Sequence, residues 1–280
     1  MEKAIKRYFP IFVLPTMIAF TLGFIIPFAE GVYLSFCKFT TVNDAKFIGL
    51  SNYGKVFKDS TFVHAFWYTA AFTVVSVILI NVLAFAVALL LTKGIKGTNV
   101  FRTVFFMPNL IGGIVLGYIW QLLLNGILMK FSRTLTYSST FGFWGLVILM
   151  CWQQIGYMMI IYIAGIQNIP GELIEAAEID GATKRQVLKS VTIPMVMPSI
   201  TVCTFLTLTN SFKLFDQNLA LTNGEPSKMS EMLALNIFST FYGRAGYEGA
   251  GQAKAVIFFI LVAAIALTQN YLTRRKEVQQ

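Results

Sequence analysis

The stretch that decides the fold is Glu175-Ala176-Ala177-Glu178-Ile179-Asp180-Gly181-Ala182-Thr183, which is followed by Val191-Thr192-Ile193-Pro194. It is charged and rich in small residues, in a chain that is 56% hydrophobic and only 12% charged. Soluble domains carry about 25% charged residues. The composition therefore indicates an integral membrane protein, and this segment is predicted to contact something soluble.

Six segments around this stretch are apolar enough to cross a membrane, because a spanning helix needs about 20 mostly apolar residues. Lipid offers no partners for backbone polar groups, so each span is predicted to be helical. The expected fold is an all-α integral membrane protein in which residues 1–280 form a single transmembrane domain. Prolines 15, 108 and 198 are expected to kink their spans. The predicted spans are Phe9–Phe28, Phe66–Thr92, Val104–Leu128, Phe141–Ile166, Ile193–Phe215 and Ala253–Leu272.

The distribution of basic residues predicts the orientation. Six spans place both termini on one side, where the short segments hold twelve basic residues against eight in the longer opposite loops. The excess of Lys and Arg marks the cytoplasmic side, so both termini and the Glu175 segment are expected there. The twelve are Lys3, Lys6, Arg7, Lys93, Lys96, Arg102, Lys184, Arg185, Lys189, Arg274, Arg275 and Lys276.

Residues 168–192, called the surface loop below, carry the signals of two short helices. Pro170 is a favourable helix start, and Gly181 permits a sharp break. Thr183 with Gln186 three residues later fits a capping box, so a second helix is predicted to begin there. The product is a helix–turn–helix at the membrane surface that exposes small residues and carboxylates. Charge and apolar spacing alone are equally compatible with an ordinary amphipathic connector.

Polar and aromatic side chains near the middle of the fourth and fifth spans are candidate solute contacts, because polar groups at membrane depth are costly and usually functional. Amides and hydroxyls both donate and accept hydrogen bonds, as sugar hydroxyls require. No charged residue lies mid-span, which favours a neutral solute. The alternative is that such groups tie helices together, and it is preferred for Asn81, Gln121 and Thr209. The candidates are Trp152, Gln153, Gln154, Tyr157, Thr207, Asn210 and Ser211.

The order Glu-Ala-Ala, three residues, Gly, nine residues and aliphatic-x-aliphatic-Pro resembles the EAA loop of ATP-binding-cassette (ABC) importer permeases. Val191 and Ile193 stand where that family usually has Ile and Leu. Residues 101–108 (FRTVFFMP) look like the third-span entrance of sugar permeases. Residues 211–216 and 221–226 resemble the segment after the fifth span in the carbohydrate (maltose-type, MalF-like or UgpA-like) permeases, although Glu225 departs from the usual Gly-Gly-Pro.

The resemblance implies a MetI-like fold in a bacterial or archaeal plasma membrane, with a second, MalG-like permease subunit, a cytoplasmic ATPase dimer and an external solute-binding protein as partners. It implies alternating-access import of a neutral sugar. The ATPase would dock on Glu175, Ala176, Ala177, Asp180 and Gly181. The positions that match sugar contacts are Trp152, Gln153, Gln154, Tyr157, Thr207, Asn210, Ser211 and Leu214.

Other classes of function are disfavoured by what the chain contains. It has no Gly-x-x-x-x-Gly-Lys-[Ser/Thr] phosphate loop, so ATP hydrolysis is expected on a separate chain, and no catalytic, cofactor or metal site is predicted. An ion-coupled secondary transporter of a small neutral solute remains the alternative, but it needs a titratable group mid-span. An intramembrane enzyme would need a partner for the single histidine, His64.

Overall fold

The computed structural model describes residues 2–274, and the side chains of residues 9–271 within them. The basic side chains predicted to face the cytoplasm at Lys3, Lys6, Arg7, Arg274, Arg275 and Lys276 lie outside these limits. The helices are α1 (Glu2–Phe20), α2 (Ile26–Ser35), α3 (Ser51–Lys58), α4 (Ser60–Leu91), α5 (Thr98–Phe106), α6 (Gly113–Leu128), α7 (Ser139–Gln167), α8 (Gly171–Ile179), α9 (Lys184–Val187), α10 (Ile193–Met195), α11 (Met197–Phe212), α12 (Asp216–Leu221), α13 (Leu233–Gly243) and α14 (Glu248–Arg274).

The all-α expectation is confirmed, with a single two-residue antiparallel ribbon, β1 (Cys37–Lys38) and β2 (Lys46–Phe47), in the described part of the chain. Among residues 2–274, five helical stretches are long and apolar enough to cross a membrane, and a bent pair supplies a sixth span if it is counted as one. The five are Phe9–Ser35, Ser60–Leu91, Gly113–Phe131, Ser139–Gln167 and Glu248–Tyr271, and the pair is Lys184–Met195 with Met197–Phe212.

The third span begins at Gly113, later than the predicted Val104. Val104 belongs to the separate helix α5, which is followed by a short 3₁₀ turn at Met107–Leu110. Pro108 has no N–H to continue an α-helix and restricts the residue before it, and the chain is extended at Ile111 and Gly112 before α6 begins. The single apolar run of the sequence was predicted to be one span, whereas the structure divides it into the two helices α5 and α6.

Two π-helical turns, Thr21–Ile25 and Leu188–Thr192, each end two residues before a proline, at Pro27 and Pro194. A proline ring collides with the carbonyl four residues earlier in a regular α-helix. In both places that carbonyl lies inside the π turn, and the wider turn makes room for the ring. The kink predicted at Pro198 is a 68° bend that falls at Val196, and α1 continues through Pro15 to Phe20.

The chain forms two compact units, each with its own packing. Of the described residues, the first unit comprises those up to Ser60 together with Ile237–Ile260, and the second comprises Thr61–Asn236 with those from Leu261 to Arg274. Among the single-helix spans that lie wholly or partly in the second unit, α7 is the most buried, because 61% of an 18-residue apolar stretch within it is buried against 11–28% for the others. Its buried side chains form one core with those of α4 and α11.

A close approach fixes α5 against α7 in the second unit. A Cβ added at Gly156 of α7 would overlap the backbone carbonyl of Phe105 and would lie 2.8 Å from the backbone nitrogen of Phe106. The absence of a side chain at Gly156 therefore lets the end of α5 rest on α7.

Candidate functional site

The surface loop folds as the predicted helix–turn–helix. Helix α8 ends at Ile179, and Gly181 follows in the left-handed region with φ +80°. The Gly181 N–H donates to Glu178 O at 3.0 Å and the Ala182 N–H donates to Ala177 O at 2.9 Å. This pair of bonds is a Schellman motif, which satisfies the last carbonyls of α8 and turns the chain sharply.

The capping box at the start of α9 is confirmed. The Thr183 N–H donates to Gln186 Oε1 at 2.7 Å, and the Gln186 N–H donates to Thr183 Oγ1 at 3.4 Å. Val187 is buried, so α9 is held by its apolar face while its basic residues stay exposed. Local hydrogen bonds therefore define both ends of the turn between the two helices.

The predicted ATPase-contact residues lie on the outside of this turn. Glu175, Ala176, Asp180 and Gly181 are exposed, and Ala177 is half-buried. No atom lies within 4 Å of the position that a Gly181 Cβ would take, so this surface is open. Sequence reasoning missed Ile179, whose side chain is 86% exposed. The sequence did indicate Ile179, because it is an aliphatic residue placed between acidic and small residues.

A polar cavity of about 400 Å³ lies in the second unit, between α7, the end of α11 and the start of α12. Four of the eight predicted solute contacts line it: Gln153, Gln154, Asn210 and Leu214. The remaining lining residues are Asn109, Met150, Lys213, Phe215, Asp216 and Gln217. Lys213 and Asp216 give the lining one charge of each sign, and five amide side chains supply donors and acceptors.

The two glutamines of α7 differ in what they can offer a ligand. Gln153 Oε1 accepts from Gln217 Nε2 at 2.8 Å, and Gln153 Nε2 donates to Ile111 O at 3.3 Å, so both ends of this amide are engaged. Gln154 is buried, and its Oε1 has no hydrogen-bond partner among the described residues. A buried acceptor without a partner costs free energy, which a donor from a ligand would recover.

Thr207, a predicted solute contact, does not line the cavity. It is fully buried, its Oγ1 accepts from Asn81 Nδ2 at 2.9 Å, and it donates to Cys203 O at 2.7 Å. Asn81 Oδ1 in turn accepts from the Tyr162 hydroxyl at 2.6 Å. These groups join α4, α7 and α11, as expected for Asn81, and Thr207 belongs with them.

The other candidates are placed differently again. Ser211 is fully buried, Trp152 lies edge-on to Trp120 with ring centroids 5.6 Å apart, and Tyr157 packs beside Phe106. None of the three lines the cavity. Of the other expected helix ties, Gln121 donates to Leu221 O at 3.0 Å, whereas the Thr209 hydroxyl bonds to Phe205 O within its own helix.

Sequence reasoning missed the contribution of α12, which brings Gln217 and Asp216 to the cavity. Helix α12 packs on α6 at two glycines: a Cβ at Gly113 would lie 2.8 Å from Asp216 Cβ, and one at Gly117 would lie 2.5 Å from Ala220 Cβ. Glycines four residues apart on a membrane helix indicate a close neighbour. The four-residue spacing of Gly113 and Gly117 could therefore have indicated that another helix packs there.

Comparison with known proteins places the chain among transport components. The profile of the family described as "Binding-protein-dependent transport system inner membrane component" matches residues 81–278. The chain is 43% identical over 278 residues, covering 96% of it and 94% of the relative, to the "Probable starch degradation products transport system permease protein AmyD" of Thermoanaerobacterium thermosulfurigenes. It is 28% identical to the "Multiple sugar-binding transport system permease protein MsmF" of Streptococcus mutans, covering 99% of both.

Solved structures share the fold. A crystal structure of a bacterial ABC transporter that imports the acidic polysaccharide alginate contains a chain with TM-score 0.82 and 21% identity, covering 98% of both chains. A chain of the MetNI methionine ABC transporter in an inward-facing conformation gives TM-score 0.60 and 20% identity, covering 78% of this chain and 96% of the other.

Proposed function

The chain belongs to the family of binding-protein-dependent transport system inner membrane components, and on that premise we propose that it imports a sugar or oligosaccharide by alternating access. It is a multi-pass membrane subunit of a transporter and not an enzyme. The relatives named for starch degradation products and for multiple sugars support the carbohydrate class. We take residues 1–280 as one transmembrane domain that works beside a second permease subunit.

The observation that carries the proposal is the turn between α8 and α9. Its Schellman motif and capping box hold a rigid surface of small and acidic side chains, and Gly181 leaves it open to a partner. Glu175 and Asp180 supply charge for a basic cleft in a separate ATPase, while Ala176, Ala177 and Gly181 permit close approach. Exposed Ile179 adds apolar contact area. ATP-driven closure of the ATPase dimer would pull on this surface and reorient the spans.

The polar cavity is the proposed sugar site. Gln154 Oε1 would accept from a sugar hydroxyl, Asn210 can donate and accept, and Gln217 holds Gln153 in position. The lining charges of Lys213 and Asp216 cancel, which suits a neutral solute delivered by an external binding protein. Trp152, Tyr157, Thr207 and Ser211 would reach the solute only if the spans rearrange, as alternating access requires.

The docking proposal is tested by Gly181→Trp. Substitution there adds both bulk and positive-φ strain, so the matched control is Gly94→Trp, which has φ +73° and open space but lies outside the surface loop. We expect Gly181→Trp to abolish ATP-dependent sugar uptake while membrane insertion remains normal, and Gly94→Trp to retain uptake. Equal uptake by both variants would contradict the docking role. Uptake driven by an ion gradient without any ATPase would favour the ion-coupled alternative.

The orientation proposed here places both termini and the surface loop in the cytoplasm. Ala177 is half-buried on the outside of the loop, so a cysteine there can react with a soluble maleimide. We expect Ala177→Cys to be labelled in inverted vesicles and to be protected in intact cells. The three native cysteines are buried and provide the background measurement. Labelling only in intact cells would reverse the topology.

A further inference from the structure

A second cavity, called the basic cavity, lies within the first unit and plays no part in the proposed transport cycle. Its volume is about 350 Å³, within the range of small-molecule sites. It is formed by α3, by the end of α13 and by the start of α14. The lining residues are Lys55, Val56, Lys58, Asp59, Thr240, Arg244, Tyr247, Ala250 and Lys254.

The wall of the basic cavity includes a buried ion pair. The Lys254 side chain is almost fully buried, and its ammonium donates to Asp59 Oδ2 at 2.7 Å and to Thr240 Oγ1 at 2.8 Å. A buried ammonium is stable only when it is paired and hydrogen-bonded in this way. Asp59 is the one carboxylate among the lining residues, and it is committed to Lys254. Glu248, in the first turn of α14, does not line the cavity.

The remaining charges are positive and exposed. Lys55, Lys58 and Arg244 have no carboxylate within ion-pair distance among the described residues. Lys55 Nζ and the Arg244 guanidinium lie 6.0 and 5.9 Å from the centre of the Tyr247 ring, so one aromatic ring has two of the cations beside it. A cleft lined by one sign of charge concentrates the opposite ion. Arg and Lys together suit a phosphate group, whose oxygens accept several charge-assisted hydrogen bonds.

The depth of the basic cavity in the membrane indicates where the phosphate comes from. The 19 residues between Lys254 and Arg274 carry no charged side chain. That is about the number of helical residues needed to cross a hydrocarbon core of about 30 Å. Because the Arg274 side is the one proposed to be cytoplasmic, the outer boundary of the core falls near Ala255. Lys254 therefore lies at the boundary, level with the lipid headgroups. Tyr247, which is exposed, is an aromatic side chain of the kind enriched at that level.

We propose that the basic cavity binds the phosphate of a glycerophospholipid in the outer leaflet, with an anionic headgroup such as phosphatidylglycerol preferred. Lys58 and Arg244 contact the phosphate from the rim, and the Lys254–Asp59 pair holds α14 and the residue before α4 in the shape that receives it. The inference rests on the proposed membrane orientation. It adds to the transporter a lipid site that is independent of the sugar and of the ATPase.

The test uses the transporter in nanodiscs of phosphatidylcholine alone or mixed with phosphatidylglycerol, and native mass spectrometry counts the lipids retained. We expect wild type to retain phosphatidylglycerol selectively. Each near-surface basic residue contributes about 1 kcal/mol of attraction to anionic lipid, so Lys58→Gln and Arg244→Gln should each weaken retention about fivefold. Lys46→Gln is the matched control, because Lys46 is an exposed lysine of the first unit that does not line the cavity. Unchanged melting temperatures show that the variants fold.

Four outcomes overturn the inference. Equal lipid retention by Lys58→Gln, by Arg244→Gln and by wild type shows that the cavity does not bind the lipid. An equal loss of retention in Lys46→Gln shows that only general surface charge is involved. Displacement of the lipid by excess inorganic phosphate assigns the cavity to a soluble anion. If Lys58→Gln or Arg244→Gln abolishes sugar uptake in cells but leaves lipid retention unchanged, the basic cavity binds an acidic protein partner instead of a lipid. Because retention is measured without transport, a chain that binds lipid but imports no sugar would contradict only the proposed function.

Discussion

Replacing Gly156 by alanine tests the packing that fixes α5 on α7. The new methyl group would overlap the Phe105 carbonyl, and it would lie 2.8 Å from the Phe106 nitrogen where ordinary contacts begin at 3.4 Å. The backbones must therefore separate by at least 0.6 Å at Phe106, and by more at Phe105. A flexible side chain could move aside at low cost, but both obstacles here are main-chain atoms.

The expected size of the effect follows from two opposing terms. Overpacking a well-packed core costs about 1–3 kcal/mol, and a backbone overlap belongs at the upper end of that range. Alanine in a helix gains up to about 1 kcal/mol over glycine. We expect a net loss of about 2 kcal/mol in the free energy of unfolding. At about 2–4 °C per kcal/mol for a domain of this size, the melting temperature should fall by about 4–8 °C.

The assay is the apparent melting temperature of the detergent-purified transporter, followed by intrinsic tryptophan fluorescence. Gly126→Ala is the matched control, since Gly126 also lies in a spanning helix but has no atom within 4 Å of its would-be Cβ. It should leave the melting temperature unchanged or raise it. If Gly156→Ala melts at or above wild type, or if the two variants behave alike, the close approach of α5 to α7 is refuted.

Three further predictions address the surface loop, the bonds between helices and the turn between β1 and β2. Ile179→Asp should weaken co-purification of the ATPase while sugar affinity stays unchanged, because this 86% exposed side chain lies on the proposed docking surface; normal co-purification would exclude it. Thr207→Val should lower the free energy of unfolding by about 0.6 kcal/mol, because the hydrogen bond from Asn81 is lost. The KM for sugar uptake should stay unchanged. A raised KM would show that Thr207 contacts the solute. The backbone N–H groups of Thr40 and Thr41 hold the pKa of Asp44 below its ordinary value. This turn should therefore be most stable above the ordinary carboxyl pKa and should lose that stability as the pH falls through the lowered pKa. The protection of the Thr41 amide, meaning its intrinsic exchange rate divided by its observed exchange rate at the same pH, should fall with acid in wild type, and Asp44→Asn should remove that dependence.

The features that could be predicted from sequence are those fixed by local chemistry. The capping box of Thr183 and Gln186 and the turn at Gly181 depend on residues within one or two turns of each other, and both are present. The apolar spans follow from length and hydropathy alone, so the all-helical architecture was also accessible.

The features that escaped prediction depend on approaches between distant segments. Val104 belongs to a separate helix because Pro108 interrupts an apolar run that hydropathy averages over. Gln217 reaches the polar cavity because α12 packs on glycines of α6, about 100 residues earlier. The bond between Asn81 and Thr207 could not be predicted, because the two residues lie on different helices and 126 positions apart. That Thr207 contacts the solute stays a prediction.

The π turn at Leu188–Thr192 has a consequence for how the chain tolerates insertions and deletions. Such a turn holds one residue more than the regular helix it interrupts, and each residue of a helix advances it by about 100°. Deleting one residue there would restore a regular spiral but would rotate α9 about its axis by roughly that angle relative to α11. The exposed surface of α8 and α9 would then face a different direction relative to the polar cavity, although no residue of either had changed. The length of this short segment should therefore be constrained more tightly than its composition.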